Sequence, residues 1–398
     1  MALTSTSFMA APGGFSTTLS AKLDKVDCSQ VLAAVLMADK ELLGHIRMGE
    51  TAHNIEVNWI EDELNPAFIM ASSSANNRIT CSSGYTTASL QRFLRKYTVL
   101  APQNSEARMQ VSQSVTATIV TVAVYGSTTW ASWTMTKTFL VAAPWKDIDD
   151  ASSDSSVTRT KRKNFQQVFE RAIEITQTRK NMDMEAVVNE LKLQVGRRTM
   201  EIKREFDMSA ILGYGKATAS NTYSADNELR TMCGIIQLLR DPNLDSTNED
   251  TTVTQLSAAL TVAAINSLAY KIYKEGGLDA TADPIVLVGP KQQRVIAGFD
   301  KDYRRDVATG ERTFGYYKNV FLSDMGLEMP VVLDRWMPDD KLIILDRSRI
   351  SFRPMAGDSW HLEKMAKSGR NEKWQLSGQY TLELRNADKC HGMLYDVS

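Results

Sequence analysis

NFQQVFERAIEITQT, residues 164–178, and the run that follows it down to AILG at residues 210–213 decide how this chain folds. The first piece alternates β-branched and polar side chains around Ile173 and Ile175, which predicts an extended strand. From about Asp183 to Leu212 the period changes: Met184, Val188, Leu191, Val195, Ile202 and Phe206 recur at helical spacing. Glu185, Lys192, Arg197, Glu201 and Arg204 fill a charged remainder. About thirty residues at ~1.5 Å rise make a rod of ~45 Å, well beyond the usual globular helix of about 11–12 residues. Gly213 and Gly215 stop it. Their Gly-Tyr-Gly ends a helix instead of following a strand, so it is no dinucleotide loop.

Toward the C-terminus, residues 216–250 read as loop, with a short apolar piece at Gly234-Ile235-Ile236. A second helix is expected over about Gln255 to Glu275. Leu256, Leu260, Ala264, Leu268 and Ile272 form its stripe, Thr254 can cap it, and Gly276-Gly277 end it. Pro284 to Pro290 reads as a short buried strand, and KQQRVIAGF, residues 291–299, as a short helix. Residues 300–317 read as a charged loop. VVLDRW (331–336) and KLIILDRSRI (341–350) flank a turn at Met337-Pro338-Asp339-Asp340, with proline second. In the strand Gln375 to Arg385, Leu376, Gly378, Tyr380, Leu382 and Leu384 face one way, so one face is expected to be buried and the other wet or in contact with a partner.

Toward the N-terminus, the basic run TRTKRK (158–163) follows an acidic, serine-rich linker, DIDDASSDSS (147–156). Such a run is most simply a solvated or intersubunit face, with a face toward enclosed DNA as the sharper reading. VSQSVTATIVTVAVYGSTTWASWTMTKTFLVAAPW, residues 111–145, is rich in Thr, Val and aromatics and nearly free of charge; it reads as a β unit, a small sandwich or barrel, turning at Tyr125-Gly126-Ser127. Exposed Trp130 and Trp133 would instead make it a contact surface. Glu61-Asp62-Glu63 is expected to be a solvated face beside an anchoring Trp59, because adjacent residues do not share a face. Residues 1 to about 30 are small and polar and need a neighbouring surface to order them.

The chain has 398 residues with 43% hydrophobic and 23% charged side chains, which excludes disordered, collagenous and coiled-coil classes. A formal net charge of -1 disfavours tight wrapping of nucleic acid. No apolar run approaches the ~20 residues of a membrane helix, and the opening MALTSTSFMAAPGG lacks the pattern of a secretory signal. Cys28, Cys81, Cys233 and Cys390 are far apart and are expected to be reduced and mostly buried. His45, His53, His361 and His391 show no zinc spacing. No phosphate-binding, nucleophile-elbow, kinase or calcium-loop motif is present. No catalytic, cofactor or metal residue is therefore assigned, and no cofactor is expected. An arm and an insertion with few internal contacts argue for an assembly subunit over an enzyme.

In their order and spacing these pieces resemble a tailed-bacteriophage major capsid protein of the Hong Kong 97 fold, in the branch that carries a β insertion before its long helix. The resemblance is carried by Asn164 to Phe169 with Thr176-Gln177-Thr178, by Glu205 to Gly213, and by Val286 to Gln293 with Ile296 and Phe299. Ser323 to Gly326, Lys341 to Asp346, Leu362 to Gly369, Lys373 to Leu376 and Tyr380 to Asn386 complete it. The match is close over about 160–398 and looser over 40–145. It implies an α+β Hong Kong 97-like fold: an N-terminal arm (1–45), an extended loop region (46–180) with the β insertion at about 97–145, and a spine helix of the peripheral domain (181–214). An axial domain (215–350) and peripheral-domain strands (351–398) complete that division.

The implied function is a structural subunit of an icosahedral head that self-assembles as hexamers and pentamers around double-stranded DNA. The implied partners are copies of itself, a separate scaffolding protein, a portal, a decoration protein and loosely touching DNA, with no membrane. The implied place is the virion, after assembly in the host cytoplasm. A nanocompartment shell of the encapsulin type and a soluble α/β enzyme are the rival readings.

Overall fold

The computed structural model describes residues 41–62, 64–75, 77–81, 87–103, 107–113, 119–125, 137–144, 156–157, 159–181, 190–215, 230–242, 244, 252–299, 304–308, 317–366 and 369–398. In chain order it begins α1 (Glu41–His45), β1 (Arg47–Met48), β2 (Glu56–Glu61), β3 (Phe68–Ile69), β4 (Ala71–Ala75), β5 (Arg78–Cys81), α2 (Thr87–Phe93) and β6 (Val99–Pro102). Next come β7 (Met109–Val111), β8 (Ile119–Val124), β9 (Thr138–Ala142), β10 (Thr160–Phe165), β11 (Gln167–Thr176), α3 (Gln177–Asn181), α4 (Glu190–Leu212) and α5 (Ile235–Arg240). Then follow β12 (Val253–Ala258), α6 (Val262–Lys274), β13 (Pro284–Val288), α7 (Pro290–Ala297), β14 (Arg304–Ala308), β15 (Tyr317–Leu322) and β16 (Glu328–Leu333). The chain closes with β17 (Leu342–Asp346), β18 (Ile350–Pro354), β19 (His361–Lys364), β20 (Asn371–Leu384), α8 (Ala387–Cys390) and β21 (Gly392–Val397). Two compact units result, one from Lys163–Ser398 with the chain up to Trp59, the other from Ile60–Arg162.

The larger unit has two sheets. In one, β11 and β20 run antiparallel from Gln167 opposite Tyr380 to Thr176 opposite Asn371, with β18 beyond β20 and β1 at the edge. The other is ordered β12-β21-β17-β13-β16-β15-β14. Its central strands, PIVLV and LIILD, are continuous apolar runs because both faces are covered. Alternate residues serve two cores. Ile285, Leu287, Ile343 and Leu345 join α4 and α5, while Val286, Val288, Leu342 and Ile344 join α6 and α7.

The expected long helix is present as α4, its C-terminal half buried through Ile202, Phe206, Ala210 and Ile211; the stretch from Asp183 to Asn189 lies outside the described residues. Phe206 sits among Phe169, Phe352, Trp360 and Tyr380, with ring centroids 4.6–6.0 Å away. This aromatic cluster fixes the helix to the first sheet.

Several expectations change. The helix foreseen over 255–275 is a strand and a shorter helix: β12 pairs parallel with β21, and Thr261, not Thr254, caps α6 by accepting the Ala264 N–H at 3.2 Å. Leu256 fits either period, and pairing with the sheet edge decides. Within 216–250, Gly234 opens α5, whose Ile235, Leu238 and Leu239 are buried. Within 300–317, Arg304–Ala308 forms β14 against β15. The turn at 337–340 starts one residue later, with Lys341 N–H donating to the Pro338 carbonyl at 3.2 Å, and β13 separates the strands it joins. The block 351–398 is divided, since β21 pairs with β12 and β17 in the second sheet while β18, β19 and β20 lie in the first. The second face of β20 is not wet at its end: Thr381 and Glu383 are buried, Glu383 between Arg353 at 3.0 Å and Arg385 at 2.5 Å.

In the smaller unit the β insertion is wider than 97–145. β3 and β4 are separated only by Met70; β3 pairs with β9, and β4 pairs with β5. Through β5-β8-β7-β6-β9 the ring closes, so residues 68–75 serve as one strand of a six-stranded antiparallel barrel. Such a ring leaves little free edge among the described residues. The early strands, ASSSA and RITC, are short and polar, which hid them from a hydrophobicity reading. Ile69, Ile79, Leu100, Met109, Val111, Val120 and Val122 fill the interior with Leu90 of α2 and Leu94. Trp130, Trp133, Gly126 and Ser127 lie outside the described residues.

Candidate assembly surfaces

The NFQQ segment supplies a buried polar staple. The Asn164 amide donates to the carbonyls of Cys233 at 3.0 Å and Leu382 at 2.7 Å. Its oxygen accepts the N–H of Phe165 at 2.8 Å and of Cys233 at 2.9 Å. All four hydrogen-bonding positions of a fully buried asparagine are used, and three distant segments are tied together. Gln166 donates to the Arg353 carbonyl at 3.3 Å, and Gln167 accepts the Met232 N–H at 3.0 Å. Two adjacent amides between phenylalanines were the sequence signal for this staple.

Charge fixes the same region from outside. Arg171 of β11 reaches Glu205 at 2.5 Å and Glu201 at 3.9 Å on α4, and Arg198 adds Glu201 at 2.6 Å. The basic run and the acidic triplet meet: β2 pairs with β10, and Arg162 binds Glu61 at 3.1 Å. Glu61 was expected to be solvated, but strand alternation puts it on the buried face with Val57 and Trp59. Asp62 stays exposed, opposite Arg159 at 3.2 Å, and Glu63 lies outside the described residues.

Exposed apolar side chains are spread over the described surface, Ile60, Leu64, Val168 and Leu333 among them. Leu362 stands out from β19, whose four residues are all exposed, with Met365 just beyond. Tyr270 and Tyr273 project from α6, and Met200 from α4. On the barrel, Ile119, Tyr125, Phe139 and Val141 face outward. Only where such side chains adjoin, as Phe139 and Val141 do on β9, can they form a contact patch.

Chemical equipment is sparse by comparison. A cleft of about 810 Å³ is lined by Pro290, Lys291, Arg294, Val295, Arg335, Met337, Pro338 and Asp339. Its Lys291, Arg294 and Arg335 give it a basic lining beside Asp339. Burial raises the thiols of Cys81 and Cys390 to about 11 and of Cys233 to about 12, as expected for inert buried cysteines. Cys28 lies outside the described residues. Among the described residues no His, Cys, Asp and Glu converge as a metal site, and no helix is long and apolar enough to cross a membrane. His391 is buried, its Nδ1 accepting the Asp346 N–H at 3.1 Å.

The family model described as SU10 major capsid protein matches residues 11–398. Among solved structures, the capsid asymmetric unit of cyanophage A-1(L) superposes with a TM-score of 0.52 at 11% identity, covering 96% of this chain and 99% of that one. The capsid of a native GTA particle gives 0.49 at 10% identity, covering 98% and 100%. The holo-SrpI encapsulin complex from Synechococcus elongatus PCC 7942 gives 0.41 at 11% identity, covering 60% and 76%. No curated protein matches the sequence. With a family match over nearly its whole length and a Hong Kong 97-like capsid fold, the chain belongs to the SU10 major capsid protein family.

Proposed function

We propose that this major capsid protein closes, as pentamers and hexamers of itself, into an icosahedral phage head around double-stranded DNA. The observation that carries the reading is the family match from residue 11 to the C-terminus. The work is surface burial, not catalysis. Obligate interfaces of ~2,000–5,000 Å² are apolar, and symmetry multiplies each contact. Residues 1–45 act as the arm, 46–180 as the region that reaches a neighbour, α4 as the spine, and 215–350 as the axial part. A separate scaffolding protein, a portal and a decoration protein complete the head, which assembles in the host cytoplasm and touches DNA loosely.

Negative-stain microscopy of the purified full chain tests this. Uniform closed shells are expected, and deletion of residues 1–30 leaves soluble subunits that do not close. A chain that stays monomeric at micromolar concentration overturns the proposal; normal shells from the deletion remove the arm's role.

A further inference from the structure

On the face of the first sheet turned away from α4, a serine, a histidine and a carboxylate stand in a row. His361 of β19 lies directly opposite Ser377 of β20, and its Nε2 is 3.3 Å from the Ser377 hydroxyl oxygen. Its Nδ1 is 2.8 Å from the Ser359 carbonyl oxygen and 3.3 Å from the Asp358 carboxylate. A carbonyl oxygen can only accept, so Nδ1 carries the proton and donates it there. Nε2 is then the free lone pair, and the Ser377 hydroxyl donates to it. Asp358 is itself held: its second carboxylate oxygen accepts from the Gln379 amide at 2.6 Å, and its carbonyl accepts the Gln379 N–H at 2.9 Å. Nucleophile, base and orienting carboxylate are thus within reach of one another, the arrangement that activates a serine. The group is open to solvent, with the His361 and Asp358 side chains 43% and 30% exposed.

We infer that Ser377 is an acyl-accepting site, with His361 as its base and Asp358 as a positioning residue, and that the donor is an activated carbonyl, a thioester or an aryl ester. In the step, the Ser377 oxygen bonds to the carbonyl carbon while its proton passes to His361 Nε2. The bond from that carbon to the leaving sulfur or aryl oxygen breaks, and the leaving group takes the proton. An ester on Ser377 remains, with His361 neutral again. Two features set the donor class. β20 is flanked by β19 and β11, so the Ser377 N–H lies in the plane of the sheet, away from the side-chain face, and supplies no oxyanion hole. Amides, whose leaving groups are poor, are therefore out of reach, and the alkyl ester on Ser377 persists for the same reason. Glu170, exposed and directly opposite Ser377 on β11, adds a second negative charge to that of Asp358, which favours a neutral or cationic donor over an anionic one. The chemistry modifies each subunit once and does not depend on the capsid reading.

The test uses p-nitrophenyl acetate, a small neutral aryl ester, on the purified full chain near neutral pH. Peptide mapping by mass spectrometry follows the acetyl group at each serine in the wild type, Ser377→Ala, His361→Gln and Asp358→Asn, with thermal melts as folding controls. In the wild type, Ser377 is expected to be acetylated at least ~tenfold faster than the other serines, less than the ~10²–10⁴ of a general base in a finished active site. His361→Gln is expected to remove that excess, and Asp358→Asn to reduce it at least ~threefold. Ser377→Ala leaves its peptide unlabelled. Wild-type Ser377 labelled no faster than other serines overturns the site, and this comparison needs no variant to fold. Undiminished labelling in folded His361→Gln also overturns it, since the serine would then be merely exposed. Undiminished labelling in folded Asp358→Asn overturns the positioning role alone.

Discussion

His391 is fully buried, and its two ring nitrogens have separate tasks: Nδ1 accepts the Asp346 N–H, so Nε2 carries the proton and donates to the Arg385 carbonyl at 3.2 Å. Burial, chiefly, lowers its pKa from the ordinary 6.5 to about 4; the Asp346 carboxylate and the bond to Arg385 oppose the shift, and Arg349 adds to it. In the unfolded chain the ring protonates near 6.5, so between about 4 and 6.5 the unfolded state binds more protons. The neutral ring's contribution is thus complete above 6.5 and disappears as pH falls through 4. The difference is on the order of 3 kcal/mol. Urea midpoints taken from pH 7 to pH 4 should fall for the wild type and fall less for His391→Asn; equal slopes would show that another group is responsible. Sequence reading had found only the absence of zinc spacing around this histidine, because burial by β17 and the turn after β20 is a long-range fact.

At the scale of elements, the end of α4 crosses the segment before α5 with backbone touching backbone. Gly213 accepts the Gly234 N–H at 2.8 Å, and a Cβ on Gly234 would lie 2.8 Å from the Ile211 carbonyl oxygen. Backbone cannot give way as a flexible side chain can, so Gly234→Ala is expected to cost about 1–3 kcal/mol, the range for overpacking. A lowered thermal midpoint with unchanged far-ultraviolet dichroism would show it; an unchanged midpoint would mean that the two segments are not so close. Gly213 was legible as a helix stop, but its partner was hidden in residues read as loop. The same division runs through the fold. Strong periodic signals, such as α4, β11, β13 and α7, stood out because burial repeats along the element. β12, β14 and the short barrel strands were missed because their neighbours in space, not their own patterns, make them strands. Glu61 was misplaced for the same reason, since its partner Arg162 is a hundred residues away along the chain.

For the whole molecule, the decisive feature is that the barrel is complete within one stretch of chain. All six pairings of its ring, and every member of its core from Ile69 to Val122, lie between Ile60 and Arg162. Among the described residues the pairings around the ring satisfy much of its backbone without a neighbour, and about 100 residues suffice for an independent core. The segment 60–162 alone is therefore expected to be monomeric and to unfold in a single cooperative transition by heat or urea. The larger unit differs, because its family role is to be finished by copies of itself, and exposed Leu362, Met365, Tyr270 and Tyr273 leave it apolar surface to bury. A gradual, non-cooperative melt of the 60–162 segment would mean that the barrel borrows its stability from the rest of the chain. A sharp one would mean that the shell subunit is a self-sufficient module inserted into a scaffold designed to be incomplete. In that case barrel substitutions that abolish assembly, with the melt unchanged, would act on contacts between copies and not on folding.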